Sequence, residues 1–155
     1  MDLTGTAITA DMLGSRMYVG NLADRLPKLP VNKLTPFFRN VTVKDIIVEN
    51  AGQFVKITGI PESPFTNFRL ENADVKCNKL IRISDARDFS LKNVNLQSAD
   101  AVIDLLDVNS LTFENVAFTV PDDEIVAKLE GDGTAKIRFQ DCTPEKPKGW
   151  QTNTR

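Results

Sequence analysis

Histidine is absent from this chain of 155 residues. That absence excludes His-dependent catalytic triads, His-ligated zinc and a histidine general base. Cysteine is scarce too, since Cys77 and Cys142 are the only two. They do not make a disulfide framework, and because both occupy apolar positions of the sequence pattern, we expect buried free thiols. The composition therefore predicts no metal site and no bound cofactor.

Long hydrophobic runs and an excess of one charge are also missing. No stretch approaches the roughly 20 apolar residues that a membrane-spanning helix needs. The first residues, MDLTGTAITADM, lack the basic start and apolar run of a signal peptide. The 19 basic and 21 acidic residues leave a net charge of −2, which gives no electrostatic case for nucleic-acid binding. We therefore expect neither a membrane nor a nucleic acid as a partner.

The chain does contain an internal repeat: apolar, any, apolar, polar, Asn or Asp, small apolar, any, apolar. Its five copies are VTVKDIIV (41–48), FRLENADV (68–75), FSLKNVNL (89–96), LTFENVAF (111–118) and IRFQDCTP (137–144), the last ending at Pro144. They start 27, 21, 22 and 26 residues apart, the spacing of a stacked-repeat architecture. A second apolar pair follows each of the first four copies: Val55/Ile57, Ile81/Ile83, Ile103/Leu105 and Ala127/Leu129.

The alternation of apolar residues predicts short strands with one buried face. Within each repeat, the apolar residues shift from odd to even positions, or the reverse, at the Asn or Asp. This residue must therefore form a corner. Both residue types tolerate the left-handed conformation that a corner requires. The predicted corners are Asp45, Asn72, Asn93, Asn115 and Asp141. Stacked coils would place them about 4.8 Å apart, close enough for their side chains to hydrogen-bond from coil to coil.

The same stacking would align exposed charges in two columns. The first contains Lys44, Glu71, Lys92, Glu114 and Gln140, and the second contains Lys56, Arg82, Asp104 and Lys128. Opposite charges meet at each step of the first column until the last. An exposed pair contributes only about 0.2–1 kcal/mol, so the columns indicate register more than stability.

We therefore predict an all-β fold, a right-handed single-stranded parallel β-helix of about five to six coils. The coils span 1–143 with an inserted loop at 14–37, and 144–155 form a C-terminal tail or cap. The alternative is a leucine-rich repeat, whose period is similar and whose pattern LENADVKCN (70–78) fits loosely. The β-helix is favoured because the Asn lies inside the motif, between two strands.

The two ends of a repeat stack normally carry caps. The tail after Pro144, with Trp150 as its only large apolar residue, is a candidate cap at one end. At the other end, strand-like sequence follows Met1 at once. An open apolar coil edge promotes association. We therefore expect further coils in front of Met1 in a longer parent protein, and self-association of this chain through its N-terminal coil.

The order of these elements resembles a known family. The run PFFRNVTVKDIIVENAGQFVKITGIPESPFTNFRLENADVKCNKLIRISDARDFSLKNVNL (36–96) resembles the C-terminal coils of glycoside hydrolase family 28, the polygalacturonase-like pectin hydrolases. GIPESPFTNFRLEN (59–72) is its most specific stretch. TGTAITADM (4–12) looks like the coil just upstream, so the similarity covers roughly residues 1–120.

The resemblance implies a right-handed parallel β-helix that hydrolyses α-linked galacturonan, an acidic plant polysaccharide, with inversion. The family's catalytic motifs, Asn-Thr-Asp, Asp-Asp, Gly-His-Gly and Arg-x-Lys, are not carried over: the Asp122-Asp123 pair follows Pro121 at a predicted turn. We therefore expect the C-terminal portion of a pectin hydrolase, inactive alone, from a secreted or periplasmic parent. The alternative is a non-catalytic β-helix that binds carbohydrate or has a structural role.

Substrate contacts are expected near the end of the TGTAITADM strand. Relatives often carry an aromatic contact there, whereas this chain has Leu13-Gly14. By this resemblance Asp11, Arg16 and Tyr18 are the predicted substrate-binding residues, with Tyr18 as a substitute aromatic.

Inverting hydrolysis also needs two carboxyl groups about 6.5–9.5 Å apart. The outward candidates are Asp85, Asp88, Asp104 and Asp107. For Asp104 a surface charge ladder is the simpler interpretation, because it lies between two cations. That same ladder offers cations to the carboxylates of an acidic polysaccharide.

Overall fold

The computed structural model describes residues 3–153, with the side chains of 5–21 and 23–148. Its strands are β1 (Leu3–Asp11), β2 (Arg39–Thr58), β3 (Phe65–Ser98), β4 (Val102–Thr119), β5 (Val126–Glu130), β6 (Ala135–Gln140) and β7 (Gly149–Asn153). The helical segments are short: α1 (Arg16–Val19) and the 3-10 turns Gly20–Ala23 and Pro121–Asp123. Strands hold 65% of the residues and helices 7%, so strand pairing determines the fold.

Each strand lies parallel to the strand one repeat away in sequence. β1 pairs with β2, β2 with β3, β3 with β4, β4 with both β5 and β6, and β5 with β7. The chain forms a β-solenoid of about four turns, and the predicted parallel β-helix is confirmed. This is fewer than the five to six coils predicted from the sequence.

All five predicted corners adopt the left-handed conformation. The φ angles are 55° at Asp45, 57° at Asn72, 54° at Asn93, 52° at Asn115 and 52° at Asp141. The predicted ladder is present over the first four. Each Nδ2 donates to the preceding coil: Asn72 to Asp45 over 2.9 Å, Asn93 to Asn72 over 3.2 Å and Asn115 to Asn93 over 2.8 Å. The ladder therefore links four successive coils.

Two further corner columns were not predicted from the sequence. One contains Asn40, Asn67, Asp88, Ser110 and Lys136, with φ between 57° and 65°. The other contains Asp85, Asp107 and Gly131, with φ of 51°, 50° and 83°. At these places β3 and β4 bend at single residues and continue without leaving the sheet.

The solenoid interior holds the inward columns of the repeat. Buried side chains run from Ala51 to Cys142 and include Phe54, Ile57 and Leu70 among the most enclosed. Cys77 and Cys142 are buried free thiols, as predicted. Removing apolar surface from water stabilises a fold by about 25 cal/mol per Å². This continuous core is therefore the main source of stability. The core begins only at Ala51, leaving the preceding half of β2 partly exposed.

The outward charges stack as expected. Lys44 Nζ lies 2.8 Å from Glu71 Oε2, and Lys92 Nζ lies 2.8 Å from Glu114 Oε1. Lys44 lowers the pKa of Glu71, and Glu114 raises the pKa of Lys92. The four side chains remain well exposed, so these pairs fix register more than they add stability.

The segment 144–155, interpreted from the sequence as a tail or cap, contains β7, which adds a parallel strand to β5. Residues 154–155 and the side chain of Trp150 lie outside the described part of the structure. Asp122 and Asp123 form a turn with left-handed φ angles of 57° and 51°, as predicted. None of the described helices is long and apolar enough to cross a membrane.

Candidate functional site

One side of the solenoid displays the second predicted charge column. Register places Lys56 opposite Arg82, Arg82 opposite Asp104 and Asp104 opposite Lys128. Thr9 on β1 continues the column beside Lys56. We call this surface, made of Thr9, Lys56, Arg82, Asp104 and Lys128, the charged face. Its alignment depends on one strand from each of five neighbouring coils.

The charged face carries three cations and one carboxylate. Arg82 is 63% exposed, and its Nε lies 3.7 Å from Asp104 Oδ2. Lys56 and Lys128 are exposed, and among the described side chains (5–21 and 23–148) neither forms an ion pair. Neighbouring coils are about 4.8 Å apart, so the three cations lie in one column along the solenoid, with Asp104 between Arg82 and Lys128. Exposed ammonium and guanidinium groups in a line can donate charge-assisted hydrogen bonds to carboxylates of an extended polymer.

Of the three predicted substrate-binding residues, only Asp11 lies beside the charged face. It ends β1 opposite Thr58, is exposed, and its Oδ1 accepts a hydrogen bond of 2.9 Å from the Leu13 amide. Arg16 and Tyr18 belong to α1 in the inserted loop. Arg16 forms an ion pair with Asp24, and Tyr18 is 85% exposed. Their role in substrate binding stays a prediction.

The inserted loop is held against the solenoid by Arg25. Its Nε lies 2.7 Å from Asp85 Oδ2, and its Nη2 lies 2.8 Å from Asp85 Oδ1 and 2.5 Å from Asp107 Oδ2. The guanidinium thus spans two coils. The hydrogen bond to Asp85 is the main cause that raises the pKa of Arg25, partly opposed by desolvation. We call Arg25, Asp85 and Asp107 the arginine clamp.

The arginine clamp corrects one expectation from the sequence. Asp85 was predicted to point outward as a candidate acid or base, but its side chain is 2% exposed and both of its oxygens accept from Arg25. Asp107 accepts from Arg25 and also from the Gly133 amide at 2.9 Å. Both carboxylates are therefore engaged in holding the inserted loop against the coils.

Two clefts flank the loop. One, of about 370 Å³, is lined by the arginine clamp together with Lys28, Arg87 and Asn109. The other, of about 410 Å³, lies between the loop and the Ile60–Glu62 turn and is lined mainly by apolar residues, including Leu26, Leu29 and Leu34. Residues of the inserted loop line both clefts. The position of the loop therefore determines the shape of each cleft.

Sequence reasoning missed Arg25 because nothing in its local pattern singles it out. A signal for its partners did exist. Asp85 and Asp107 are 22 residues apart, as are Asn93 and Asn115, so both pairs occupy equivalent positions on neighbouring coils. In the described part of the chain, the structure has no group of three or more Cys, Asp or Glu side chains placed to hold a metal ion.

Comparison with known proteins identifies no relative of this chain. No family model, no curated protein and no solved structure matches the chain. The structure itself defines the class, a parallel β-solenoid built from repeats. Function must therefore be argued from the charged face and the arginine clamp.

Proposed function

We propose that this chain is the C-terminal, polysaccharide-binding portion of a polygalacturonase-like glycoside hydrolase, and that it does not itself cleave glycosidic bonds. Its ligand would be a pectic polysaccharide rich in galacturonate. The observation that carries the proposal is the column of exposed cations on one face, with Lys56 and Arg82 on adjacent coils and Lys128 two coils beyond Arg82. The order of the sequence motifs, which resembles that family, supports the choice of polymer.

The proposed binding mode follows from geometry and charge. An extended polyuronate lying along the solenoid axis would present carboxylates to the charged face at several coils at once. Each contact with an exposed cation is weak, at most about 1 kcal/mol, but the contacts act together on one chain. Asp104 keeps Arg82 oriented from the neighbouring coil. Asp11 and Thr58 at the edge of the face offer oxygens for sugar hydroxyls.

The absence of turnover is proposed from the state of the carboxylates. Inverting hydrolysis requires one protonated acid and one base with a water between them. Asp85 and Asp107 are engaged by Arg25, and Asp104 faces Arg82. We expect the chain alone to release no reducing ends from polygalacturonate. Turnover that is lost on substituting any residue of this chain would contradict this part of the proposal.

Affinity electrophoresis in gels containing polygalacturonate tests the binding. Lys56→Ala, Arg82→Ala and Lys128→Ala should each weaken retardation by up to about fivefold, the effect of losing about 1 kcal/mol. Lys76→Ala is the matched control, because it removes the same charge from a different groove of the solenoid. Fully methyl-esterified pectin should not retard the protein. Equal losses in the control, or equal retardation by the esterified polymer, would overturn the proposal.

A second candidate is a free-standing β-helix that binds carbohydrate or has a structural role without any hydrolytic parent. The arginine clamp favours it, since Asp85 and Asp107 serve to hold a loop. The reading frame in front of Met1 separates the two candidates. In-frame segments encoding the Asn-Thr-Asp, Asp-Asp, Gly-His-Gly and Arg-x-Lys motifs support the hydrolase portion. A stop codon and promoter there support the free-standing module.

A further inference from the structure

The cleft beside the arginine clamp contains two cations besides the one that forms the clamp. Its lining includes Arg25, Lys28 and Arg87, together with the carboxylates of Asp85 and Asp107. Arg25 is paired with both carboxylates. Lys28 and Arg87 are exposed, and neither forms an ion pair with any side chain described in 5–21 and 23–148. Two positive charges of the cleft are therefore available to a ligand.

The two carboxylates of the cleft are already engaged by donors of the protein itself. Both oxygens of Asp85 accept from Arg25. In Asp107, Oδ2 accepts from Arg25 and Oδ1 accepts from the Gly133 amide. The cleft therefore offers a ligand mainly donors, an ammonium and a guanidinium. A carboxylate is the complementary group, and a guanidinium can bind both of its oxygens at once.

The two available cations come from different parts of the chain. Lys28 belongs to the inserted loop, three residues after Arg25, and Arg87 belongs to β3, two residues after Asp85. The contact between Arg25 and Asp85 holds these two segments together. The arginine clamp thus places Lys28 and Arg87 in one cleft, although they are far apart in sequence.

The rest of the lining is better suited to a sugar than to a simple anion. It includes a set of small apolar residues against which the C–H groups of a sugar ring can pack: Pro27, Pro61, Pro64 and Ala86. Asn109 lies beside Arg87 on the next coil, and its amide can exchange hydrogen bonds with a hydroxyl group. The volume of about 370 Å³ is within the usual range for small-molecule sites.

We propose that this cleft binds one acidic sugar residue, with the sugar carboxylate held between Lys28 of the loop and Arg87 of the coil. The site is separate from the charged face, because Arg82 and Arg87 lie on opposite sides of the left-handed corner at Asp85. The inference rests on the proposed function only in the choice of galacturonate as the acidic sugar.

A titration with D-galacturonate, followed by nuclear magnetic resonance of the isotope-labelled chain, tests the site. Two ligands are matched controls: D-galactose lacks the carboxylate, and acetate lacks the sugar ring. Galacturonate should shift the amide signals of Ala86, Asn109 and Gly133, which line the cleft, more than either control does. Unchanged signals at these residues would overturn the proposal, and so would equal shifts with galactose or with acetate.

Substitutions of the two cations test how the carboxylate is held. Lys28→Gln should weaken galacturonate binding by about fivefold and Arg87→Gln by about tenfold, since the guanidinium binds both oxygens. Lys79→Gln and Arg69→Gln are the matched controls, because both residues are exposed on β3 and neither lines the cleft. Equal losses in the controls would overturn the proposal. All four side chains are exposed, so unfolding midpoints should stay at the wild-type value.

Proteolysis of the inserted loop gives a second readout, because the bound sugar joins the loop to the coil. At ten times its dissociation constant, galacturonate should slow cleavage within 14–37 by about tenfold in the wild type. It should protect Arg87→Gln much less. Without sugar, Arg87→Gln should be cleaved like the wild type, since Arg87 is not part of the arginine clamp. Equal protection of the two proteins by galacturonate would overturn the proposal.

These results are distinguishable from a failure of the proposed function. Retardation by polygalacturonate depends on Lys56, Arg82 and Lys128 of the charged face, whereas binding of the single sugar depends on Lys28 and Arg87. Loss of retardation with intact cleft binding would count against the proposed function alone. Intact retardation without cleft binding would count against this inference alone.

Discussion

Arg25 donates two hydrogen bonds to Asp85, a residue 60 positions away in sequence and almost completely buried. A third bond, to Asp107, ties the same guanidinium to the next coil. The inserted loop is therefore attached to the solenoid by one side chain acting on two coils. A bidentate arginine contact is directional as well as strong, so Arg25 determines where the loop lies.

Removing Arg25 should leave Asp85 as an unpaired buried charge. Loss of one partner of such a pair costs about 3–5 kcal/mol in the free energy of unfolding. Because Arg25 is one-third exposed, we expect the loss for Arg25→Ala, measured by urea unfolding, to be near the lower end of that range. Adding Asp85→Asn to Arg25→Ala removes the unpaired charge and keeps a residue suited to the left-handed corner. The double variant should therefore recover much of the lost stability. Arg16→Ala is the control and should cost less than about 1 kcal/mol, because its pair with Asp24 is exposed.

The same variants separate local from global effects. If the clamp holds the loop, Arg25→Ala should increase the rate of proteolysis within 14–37 before it affects the coils. Arg16→Ala should change that rate much less. Equal loop cleavage in the wild type and Arg25→Ala would contradict the clamp's role.

Gly59 lies close to the backbone of the neighbouring coil. A Cβ at this position would be 2.1 Å from the Asp85 carbonyl oxygen and 2.9 Å from the Phe65 amide nitrogen, and both are backbone atoms that cannot move aside. Gly59→Ala should therefore cost more than about 3 kcal/mol, the upper part of the range for overpacking. Gly5→Ala, where a Cβ meets nothing within 4 Å, should change stability by less than about 0.5 kcal/mol. Thermal unfolding of both variants checks the contrast.

Asn93 combines a left-handed backbone with two ladder hydrogen bonds, one to Asn72 and one from Asn115. Asn93→Ala loses both bonds and puts alanine, which lacks the polar side chain that makes Asn tolerant of this conformation, in a left-handed backbone that costs about 1–2 kcal/mol. Asn93→Gly loses the bonds but relieves the strain. Denaturant midpoints should therefore fall in the order wild type, Gly, Ala. A glycine variant less stable than the alanine variant would show that strain contributes little here.

The buried thiols should be unreactive in the folded protein. Desolvation is the main cause that raises the pKa of both Cys77 and Cys142, and the thiolate is the reactive form. An aromatic disulfide reagent near neutral pH should label both only after denaturation. The pKa of each thiol is higher in the folded than in the unfolded chain, so the unfolded chain loses its thiol protons first as pH rises. The free energy of unfolding should therefore be constant with respect to these thiols below the ordinary thiol pKa of about 8.5 and should decrease above it. Rapid labelling of the native protein would contradict this burial.

The sequence by itself determined the parallel stack, the five Asn or Asp corners and both charge columns. These features follow from local properties: alternation with period two selects one buried face, and Asn and Asp accept a left-handed φ at a known place in each repeat. Alignment of the repeats on one another then fixes which residues become neighbours. For the same reason, the burial of Cys77 and Cys142 could be predicted from their apolar positions.

Only the tertiary structure decided the position of Asp85, the role of Arg25 and the close approach at Gly59. Asp is a residue type usually found on the surface. Asp85 is buried because the inserted loop places the guanidinium of Arg25 against it. Asp88 and Ser110 also turn the chain at single left-handed residues, and these corners were not predicted from the sequence. Such contacts depend on how a coil meets its neighbours, which no single repeat encodes.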